Sequence, residues 1–307
     1  MNSNGWYKSG KPDMTKPYIV PPQEGRTAIV TGASSGIGLW TAAGLAKAGA
    51  QIIMVCRNAQ RGEAAKAFVA QTSGRAPDLV LADFADLKAV RNAGAQILER
   101  YPHIHILVNN AGLFARKREL TKDGYEMTFA VNHLAPFLLT DTLLPVLARS
   151  GEPGRHARIV TVASAAANRT SIDLGDLMTA RRYSMFGAYS KSKLANILFT
   201  KELARRLPPR PVTANCLHPG VIATGIGNKG GIEGLVWSAI KPFMTSPEQG
   251  AQNSLYVATS PDIEDVSGAY FVRERPAHPN PVVDDPDVAA RLWAESEKLV
   301  AAALKRA

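Results

Sequence analysis

From Arg26 onward, short apolar runs alternate with longer segments in which apolar and polar positions recur at helical spacing. The apolar runs hold four to six residues each. They are apolar at successive positions, as strands covered by helices on both faces must be. The pattern predicts strands over Thr27–Thr31, Gln51–Cys56, Leu79–Ala82, Ile104–Asn109, Arg158–Val162, Val212–Leu217 and Ala269–Val272.

The intervening segments predict amphipathic helices, and strands that alternate with helices imply parallel pairing with right-handed crossovers. We therefore expect an α/β fold: a Rossmann-type doubly wound parallel sheet of about seven strands with helices on both faces. No internal repeat or linker interrupts the pattern, so residues 25–307 are predicted to form a single domain after an extended arm, rich in Pro, Gly and Lys, over 1–24. The predicted helices are Leu39–Ala48, Ala59–Gln71, Ala85–Arg100, Tyr189–Arg206 and a C-terminal helix at about 286–305.

Composition narrows the class of protein. Apolar residues make up 46% of the 307 residues and charged residues 20%, which is typical of a globular chain. The net charge of +10 raises the question of nucleic acid. The cations, however, are scattered and lack interleaved aromatic side chains, so a basic surface that attracts phosphorylated cofactors is favoured. Cys56 and Cys216 have no second Cys or His at ligand spacing, so neither a zinc site nor a disulfide framework is expected.

Targeting and membrane segments are not predicted. The N-terminus contains no apolar core, and nowhere do 18 apolar residues follow one another. The nearest stretch, LAPFLLTDTLLPVLA, is interrupted by Asp141 and two prolines. We expect a cytoplasmic protein without an integral membrane segment.

A glycine-rich turn, TGASSGIG over residues 31–38, follows the first predicted strand and opens a helix. Glycines let a backbone turn tightly and approach a pyrophosphate, whose charge then lies at a helix N-terminus. A turn that merely packs strand against helix is the alternative, but the position between strand and helix favours a nucleotide site. Its residues are Gly32, Ser34, Ser35, Gly36, Ile37 and Gly38.

The end of the second strand bears on the choice of cofactor. Many NAD enzymes place a carboxylate here for the ribose 2′-hydroxyl, whereas an Arg accommodates a 2′-phosphate. This chain has Cys56 followed by Arg57, so NADP(H) is favoured over NAD(H). Pairing of Arg57 with Glu63 is the alternative interpretation.

A candidate catalytic set lies further along. Tyr189 and Lys193 are four residues apart, hence on one face of a helix, where an ammonium beside a phenol would lower its pKa. Such a phenol can protonate a carbonyl oxygen or deprotonate an alcohol. A lone Y-x-x-x-K would more often be a surface pair, but Asn132 and the strand-terminal Ser164 accompany it. His133, beside Asn132, is interpreted as structural.

Together these motifs resemble the short-chain dehydrogenase/reductase superfamily over about residues 25–275. The runs ELTKDGYEMTFAVNHLAPFLL and YSKSKLANILFTKELARRL, and the 25-residue interval from Ser164 to Tyr189, are most similar to the branch of retinol dehydrogenases and carbonyl reductases. Membrane members of that branch often carry an apolar N-terminal anchor, whereas this N-terminus is polar. Members often pair through helices flanking the active site, so a homodimer or homotetramer is possible.

The resemblance implies a role for each catalytic residue. Tyr189 would be the general acid/base, Lys193 would hold the nicotinamide ribose and lower the pKa of the tyrosine, Ser164 would bind the substrate oxygen, and Asn132 would hold a water. Asp83 would lie near the adenine. The further cofactor contacts implied are Asn110, Ala111, Gly112, Pro219, Gly220, Val221 and Thr224.

The segment 222–244, with glycines around a short apolar helix, predicts a lid over an apolar substrate, although a permanently packed or subunit-interface helix would read the same way. Candidate substrate contacts are Leu235 and Trp237 on this segment and Phe114 and Phe186 elsewhere. The predicted function is an NADP(H)-dependent oxidoreductase that interconverts a ketone or aldehyde and its alcohol. The alternative is a non-catalytic dinucleotide-binding or scaffold protein of the same fold.

Overall fold

The computed structural model describes residues 17–207, 211–220 and 246–306. These residues form one sheet of eight strands in the order β3-β2-β1-β4-β5-β6-β7-β8. Every pairing is parallel except that of β7 with β8, which confirms the predicted doubly wound sheet. The strands are β1 (Thr27–Thr31), β2 (Gln51–Cys56), β3 (Asp78–Leu81), β4 (Ile106–Asn109), β5 (Ala157–Val162), β6 (Val212–His218), β7 (Tyr270–Val272) and β8 (Arg275–Pro276).

Helices cover both faces of the sheet. A π-helical turn, Ala130–Leu134, joins α4 to α5 without a break in the helical run. The helices of the described ranges are α1 (Gly36–Lys47), α2 (Ala59–Ser73), α3 (Leu87–Arg100), α4 (Met127–Phe129), α5 (Ala135–Ser150), α6 (Met185–Arg206), α7 (Pro247–Thr259) and α8 (Pro286–Lys305). The last agrees with the C-terminal helix expected at about 286–305.

Three helix starts differ from the prediction. The first helix, expected from Leu39, begins at Gly36, within the glycine-rich turn. Capping residues explain the other two. The helix expected from Tyr189 begins four residues earlier, at Met185, because the Ser184 hydroxyl accepts from the Gly187 amide. The helix expected from Ala85 begins at Leu87, where Asp86 is the cap. Strand β8 was not predicted. It pairs through a tight turn at Arg273 and Glu274, both at positive φ, and that turn contains no glycine that would announce it.

The core consists of two layers, one on each face of the sheet. Along β1, Ile29 packs into the layer beneath α3, α5, α6 and α8, whereas Ala28 and Val30 pack into the layer beneath α1, α2 and α7. All five β1 residues are buried. Apolar residues are therefore needed at successive positions, which is why the strands read as continuous apolar runs.

The two cysteines lie on β2 and β6, with β1, β4 and β5 between them. Both are buried and free.

The run Met127–Ser150 is long and apolar enough to cross a membrane, with a mean hydropathy of 1.3 over its best 18-residue window. A core helix passes the same test, and 78% of that window is buried inside the protein. Its buried residues pack on the sheet together with those of α3 and α6. Among the described residues it is the one run with this property.

The predicted arm is described only from Pro17, and that end of it contacts the core. Tyr18 packs edge-on against Tyr256, with ring centroids 5.2 Å apart, and its hydroxyl hydrogen-bonds the Thr259 hydroxyl at 3.2 Å. The arm thus ends against α7.

Candidate active site

The candidate residues collect at the carboxyl edge of the sheet. The glycine turn follows β1, Asn110 follows β4, Ser164 lies two residues after β5, and Pro219 follows β6. Strand order reverses between β1 and β4, and ligands of open α/β sheets bind in the crevice at such a switch point.

Glycine is required in the turn for two different reasons. A Cβ on Gly32 would lie 2.8 Å from Ala111 Cα, and one on Gly38 would lie 2.6 Å from the Gly32 carbonyl oxygen. At these two positions glycine lets the turn pack closely, as expected for a turn that packs strand against helix. Gly36, at φ +60°, has nothing within 4 Å of its Cβ position, so the turn also presents open space.

The turn fits a pyrophosphate. Ser35 is the N-cap of α1, but its side chain makes no capping hydrogen bond, which leaves the first amides of the helix available to an anion. The loop after β4 is held close by the Thr31 hydroxyl, which accepts from the amides of Asn110 and Ala111 at 3.0 Å each. These two hydrogen bonds fix the loop after β4 beside the glycine turn.

Two arginines flank Asn58, the N-cap of α2, and one of them contacts this turn. Arg57 is exposed directly after β2, and Glu63, its alternative partner, lies 3.9 Å from Lys66. Arg61 was not identified from the sequence. Asn58 caps α2 by accepting from the Arg61 amide, and the Arg61 guanidinium donates to the Ser35 hydroxyl at 3.4 Å. The available signal was the cap, which places a residue of the first turn of α2 toward the glycine turn.

Asp83 lies exposed at the same edge, two residues after β3. Its carboxylate accepts from the Ala85 amide at 3.0 Å. The position is compatible with a cofactor contact, and the role toward adenine stays a prediction.

Tyr189, Lys193 and Ser164 meet between α6 and the end of β5. Burial raises the pKa of the Tyr189 phenol, and a hydrogen bond with Ser164 acts in the opposite direction. The Lys193 ammonium donates to the Val162 carbonyl at 2.8 Å and lies 5.6 Å from the centre of the Tyr189 ring. The predicted lowering of the phenol pKa is therefore wrong, because burial outweighs the groups that act against it and the ammonium faces the ring and a carbonyl oxygen.

The pKa of Lys193 is also strongly shifted by its surroundings. The residue is only 4% exposed, and burial lowers the pKa of its ammonium to about 8. A Cβ on Gly112 would lie 3.5 Å from Nζ, so the loop after β4 passes directly over the lysine.

Asn132 lies in the π-helical turn, and both the oxygen and the nitrogen of its side-chain amide make hydrogen bonds. Oδ1 accepts from the Leu113 amide at 2.8 Å, while Nδ2 donates to the Leu113 carbonyl and to the Ser192 hydroxyl, each at 3.0 Å. Asn132 therefore ties the loop after β4 to α6, the helix that carries Tyr189.

Aromatic side chains flank the phenol. The Phe114 ring stacks on that of Tyr189, with centroids 3.7 Å apart and 17° between the planes. Phe186 packs edge-on against Phe114 at 6.3 Å and is 69% exposed. Of the other predicted contacts, Val221, Thr224, Leu235, Trp237 and the whole segment 222–244 lie outside the described residues.

Comparison with known proteins identifies the family. The sequence profile of the short chain dehydrogenase family matches residues 26–231. Human retinol dehydrogenase 13 is 43% identical over 284 residues, covering 90% of this chain and 85% of its own. Mouse polyprenol dehydrogenase is 40% identical over 296 residues, covering 94% and 87%.

A solved structure also resembles this chain. A short chain dehydrogenase from Burkholderia cenocepacia in complex with NADP is 31% identical, has a TM-score of 0.64, and covers 81% of this chain and 96% of its own. The family uses a nicotinamide dinucleotide for hydride transfer, and the glycine turn at the switch point fits that cofactor. This chain belongs to the short-chain dehydrogenase/reductase superfamily, in the branch that resembles the retinol dehydrogenases.

Proposed function

We propose that this protein is an NADP(H)-dependent oxidoreductase that interconverts an apolar ketone or aldehyde and its alcohol, with Tyr189 as general acid/base. The observation that carries the proposal is the meeting of the phenol, Ser164 and Lys193 at the same edge of the sheet as the glycine turn. Bound at that turn, the nicotinamide supplies or accepts the hydride.

Tyr189 is the residue that transfers the proton. Because burial raises the pKa of its phenol, the hydroxyl is protonated at neutral pH, the form that donates to a carbonyl oxygen during reduction. The Ser164 hydroxyl, hydrogen-bonded to the phenol, is placed to stabilise the alkoxide that develops as the carbonyl is reduced. In the oxidising direction the phenol first loses its proton to solvent, and the resulting phenolate accepts the proton of the alcohol.

Lys193 binds and positions the cofactor. One N–H of its ammonium is used by the Val162 carbonyl, which leaves two donors for the hydroxyls of a nicotinamide ribose. With a pKa of about 8, this ammonium begins to lose its charge just above neutral pH. Cofactor binding through Lys193 should therefore weaken as the pH rises through 8.

NADP(H) is favoured by two arginines beside the N-cap of α2. Arg57 and Arg61 are four residues apart on either side of Asn58, and Arg61 already contacts the glycine turn. Guanidinium groups pair with a phosphate through forked, charge-assisted hydrogen bonds, and a ribose hydroxyl offers no comparable partner. The relative solved with NADP is in line with this preference.

An apolar substrate is favoured by the aromatic wall. Phe114 and Phe186 form a continuous edge beside the phenol, and Phe186 is open to the surface. Two relatives are named for retinol and polyprenol, which are isoprenoid alcohols with long apolar chains. We infer that a carbonyl or alcohol on such a chain lies against these rings.

The test is a panel of purified substrates followed by NADPH absorbance. We expect all-trans-retinal and other long apolar aldehydes to be reduced with a higher kcat/KM than short polar ones, and NADPH to be preferred over NADH. Tight NADPH binding by fluorescence without turnover of any carbonyl or alcohol would instead support the non-catalytic alternative. A preference for NADH would contradict the cofactor proposal.

A further inference from the structure

His133 follows Asn132 in the π-helical turn, yet the two side chains leave the turn in different directions. The Ala135 amide hydrogen-bonds the Ala130 carbonyl across the turn, which is the wider spacing of a π-helix. Asn132 contacts the loop after β4 and Ser192, whereas the His133 ring lies against Asn196. The turn is therefore held from two sides.

Helix α6 holds the π turn from one side. Ser192 and Asn196 are four residues apart and thus on one face of α6, and they contact successive residues of the π turn. The Ser192 hydroxyl also donates to the Tyr189 carbonyl at 2.7 Å. The face of α6 that grips the turn is continuous with the part that carries the phenol.

The C-terminal helix α8 provides the other side. The Ser296 hydroxyl lies 2.9 Å from Nε2 of His133 and donates to the Leu292 carbonyl at 2.8 Å. Its oxygen therefore accepts from Nε2–H of the ring. Ser296 lies beyond residues 26–231, the part matched by the family profile.

The hydrogen bonds are sheltered and the ring is neutral. His133 is 1% exposed and Ser296 is 0% exposed, and burial lowers the pKa of the imidazole to about 4. Nδ1 lies 3.4 Å from Oδ1 of Asn196. Because Nε2 carries the proton, a hydrogen bond here requires the Asn196 amide to turn its NH2 group toward the ring.

We propose that His133 is a positioning residue that fixes Asn132 against α6 by anchoring the π turn to Ser296, so that the C-terminal helix forms part of the active-site support. The chain of contacts runs from Ser296 through His133 and Asn132 to Leu113, one residue before the Phe114 ring that stacks on Tyr189. This inference rests on the proposed function for its effect on turnover, but its effect on the turn itself does not.

The variants separate this role from mere stability. His133→Leu and Ser296→Ala each remove the hydrogen bond, whereas His133→Gln places an amide N–H near the position of Nε2 and should retain it. Val300→Ala is the matched control, because Val300 is a buried residue of α8 in the apolar core without a side-chain hydrogen bond.

The first readout is amide exchange, which needs no substrate. Exchange at Leu113, whose amide donates to Asn132, should be at least about threefold faster in His133→Leu and Ser296→Ala than in wild type, as for the loss of one net hydrogen bond. It should be unchanged in His133→Gln and in Val300→Ala. Unchanged exchange in the first two variants, or equal acceleration in Val300→Ala, would overturn the proposal.

The second readout is the split between kcat and KM. Misplacement of a supporting group by a fraction of an ångström should lower kcat by about tenfold in His133→Leu and leave KM for NADPH within about twofold. His133→Gln should recover most of the turnover. If wild type showed no turnover with any carbonyl, the proposed function would fail, and the exchange at Leu113 would still decide the role of His133.

Discussion

At the scale of single residues, the sequence predicted which side chains would meet, and the structure changed their expected electrostatics. Tyr189, Ser164 and Lys193 were picked out by type and spacing, and they do meet. Their electrostatics could not be predicted, since the pKa of the phenol depends on burial and on the direction in which the ammonium points. Spacing along a helix fixes a shared face and leaves side-chain direction open.

The cofactor proposal gives a prediction at Arg57. Arg57→Ala should weaken NADPH binding by about 1.5–3 kcal/mol, the range for hydrogen bonds to charged groups, and leave NADH binding nearly unchanged. Arg61→Ala should act in the same direction, because its guanidinium already contacts Ser35. Dissociation constants for both cofactors provide the measurement.

Arg149→Ala is the control for that experiment. Arg149 is an exposed cation in the last turn of α5, so its loss changes the net charge equally. Equal weakening of both cofactors in Arg57→Ala, or the same loss in Arg149→Ala, would show that net charge rather than phosphate recognition is responsible.

At the scale of elements, strands were predicted closely and helix ends less well. Two strands, β1 and β2, have the predicted bounds, because continuous burial leaves an apolar run that ends where the strand ends. The π turn left no trace in the sequence, since it changes one hydrogen-bond spacing inside a run that reads as one apolar helix. It nevertheless sets the directions of Asn132 and His133.

The start of that helical run carries an unusual cap. Glu126 is fully buried, and its carboxylate accepts from the amides of Thr128 and Phe129 at 2.8 Å each. Ser, Thr, Asp and Asn are the usual N-caps, so the sequence did not signal it.

Glu126→Ala should lower the free energy of unfolding by about 2 kcal/mol, because two amides and the positive end of the helix lose their acceptor. Glu126→Gln, which keeps one acceptor oxygen, should lose less. Denaturant unfolding measures both. Glu119→Ala, at an exposed carboxylate nearby, should change stability little, and a loss as large as that of Glu126→Ala would show that the cap is not the cause.

At the scale of the whole molecule, burial of neutral histidines makes the fold sensitive to acid. The pKa of both His105 and His133 is lowered to about 4, chiefly by burial, from the ordinary 6.5. A group whose pKa is depressed in the folded state contributes stability that is fully present above its unfolded pKa. That stability is lost as the pH falls toward the folded pKa. The window is therefore pH 6.5 down to 4.

The free energy of unfolding should fall across this window, with His133 accounting for on the order of 3 kcal/mol. His133→Gln should flatten the decline. His278→Gln, at a side chain that is 89% exposed, should leave it unchanged. Denaturant unfolding at several pH values between 7 and 4 measures the slope, and an equal slope in wild type and His133→Gln would contradict this account.

In the proposed mechanism, Tyr189 transfers the proton, Ser164 stabilises the developing alkoxide, and Lys193 and Asn132 bind and position. The most direct measurement is kcat together with the NADPH dissociation constant in Tyr189→Phe, which keeps the ring that stacks on Phe114 and removes the hydroxyl. We predict that kcat falls at least about a hundredfold, in the range of general acid–base catalysis, while NADPH affinity stays within about twofold. A variant that retained more than about a tenth of the wild-type kcat would contradict the assignment.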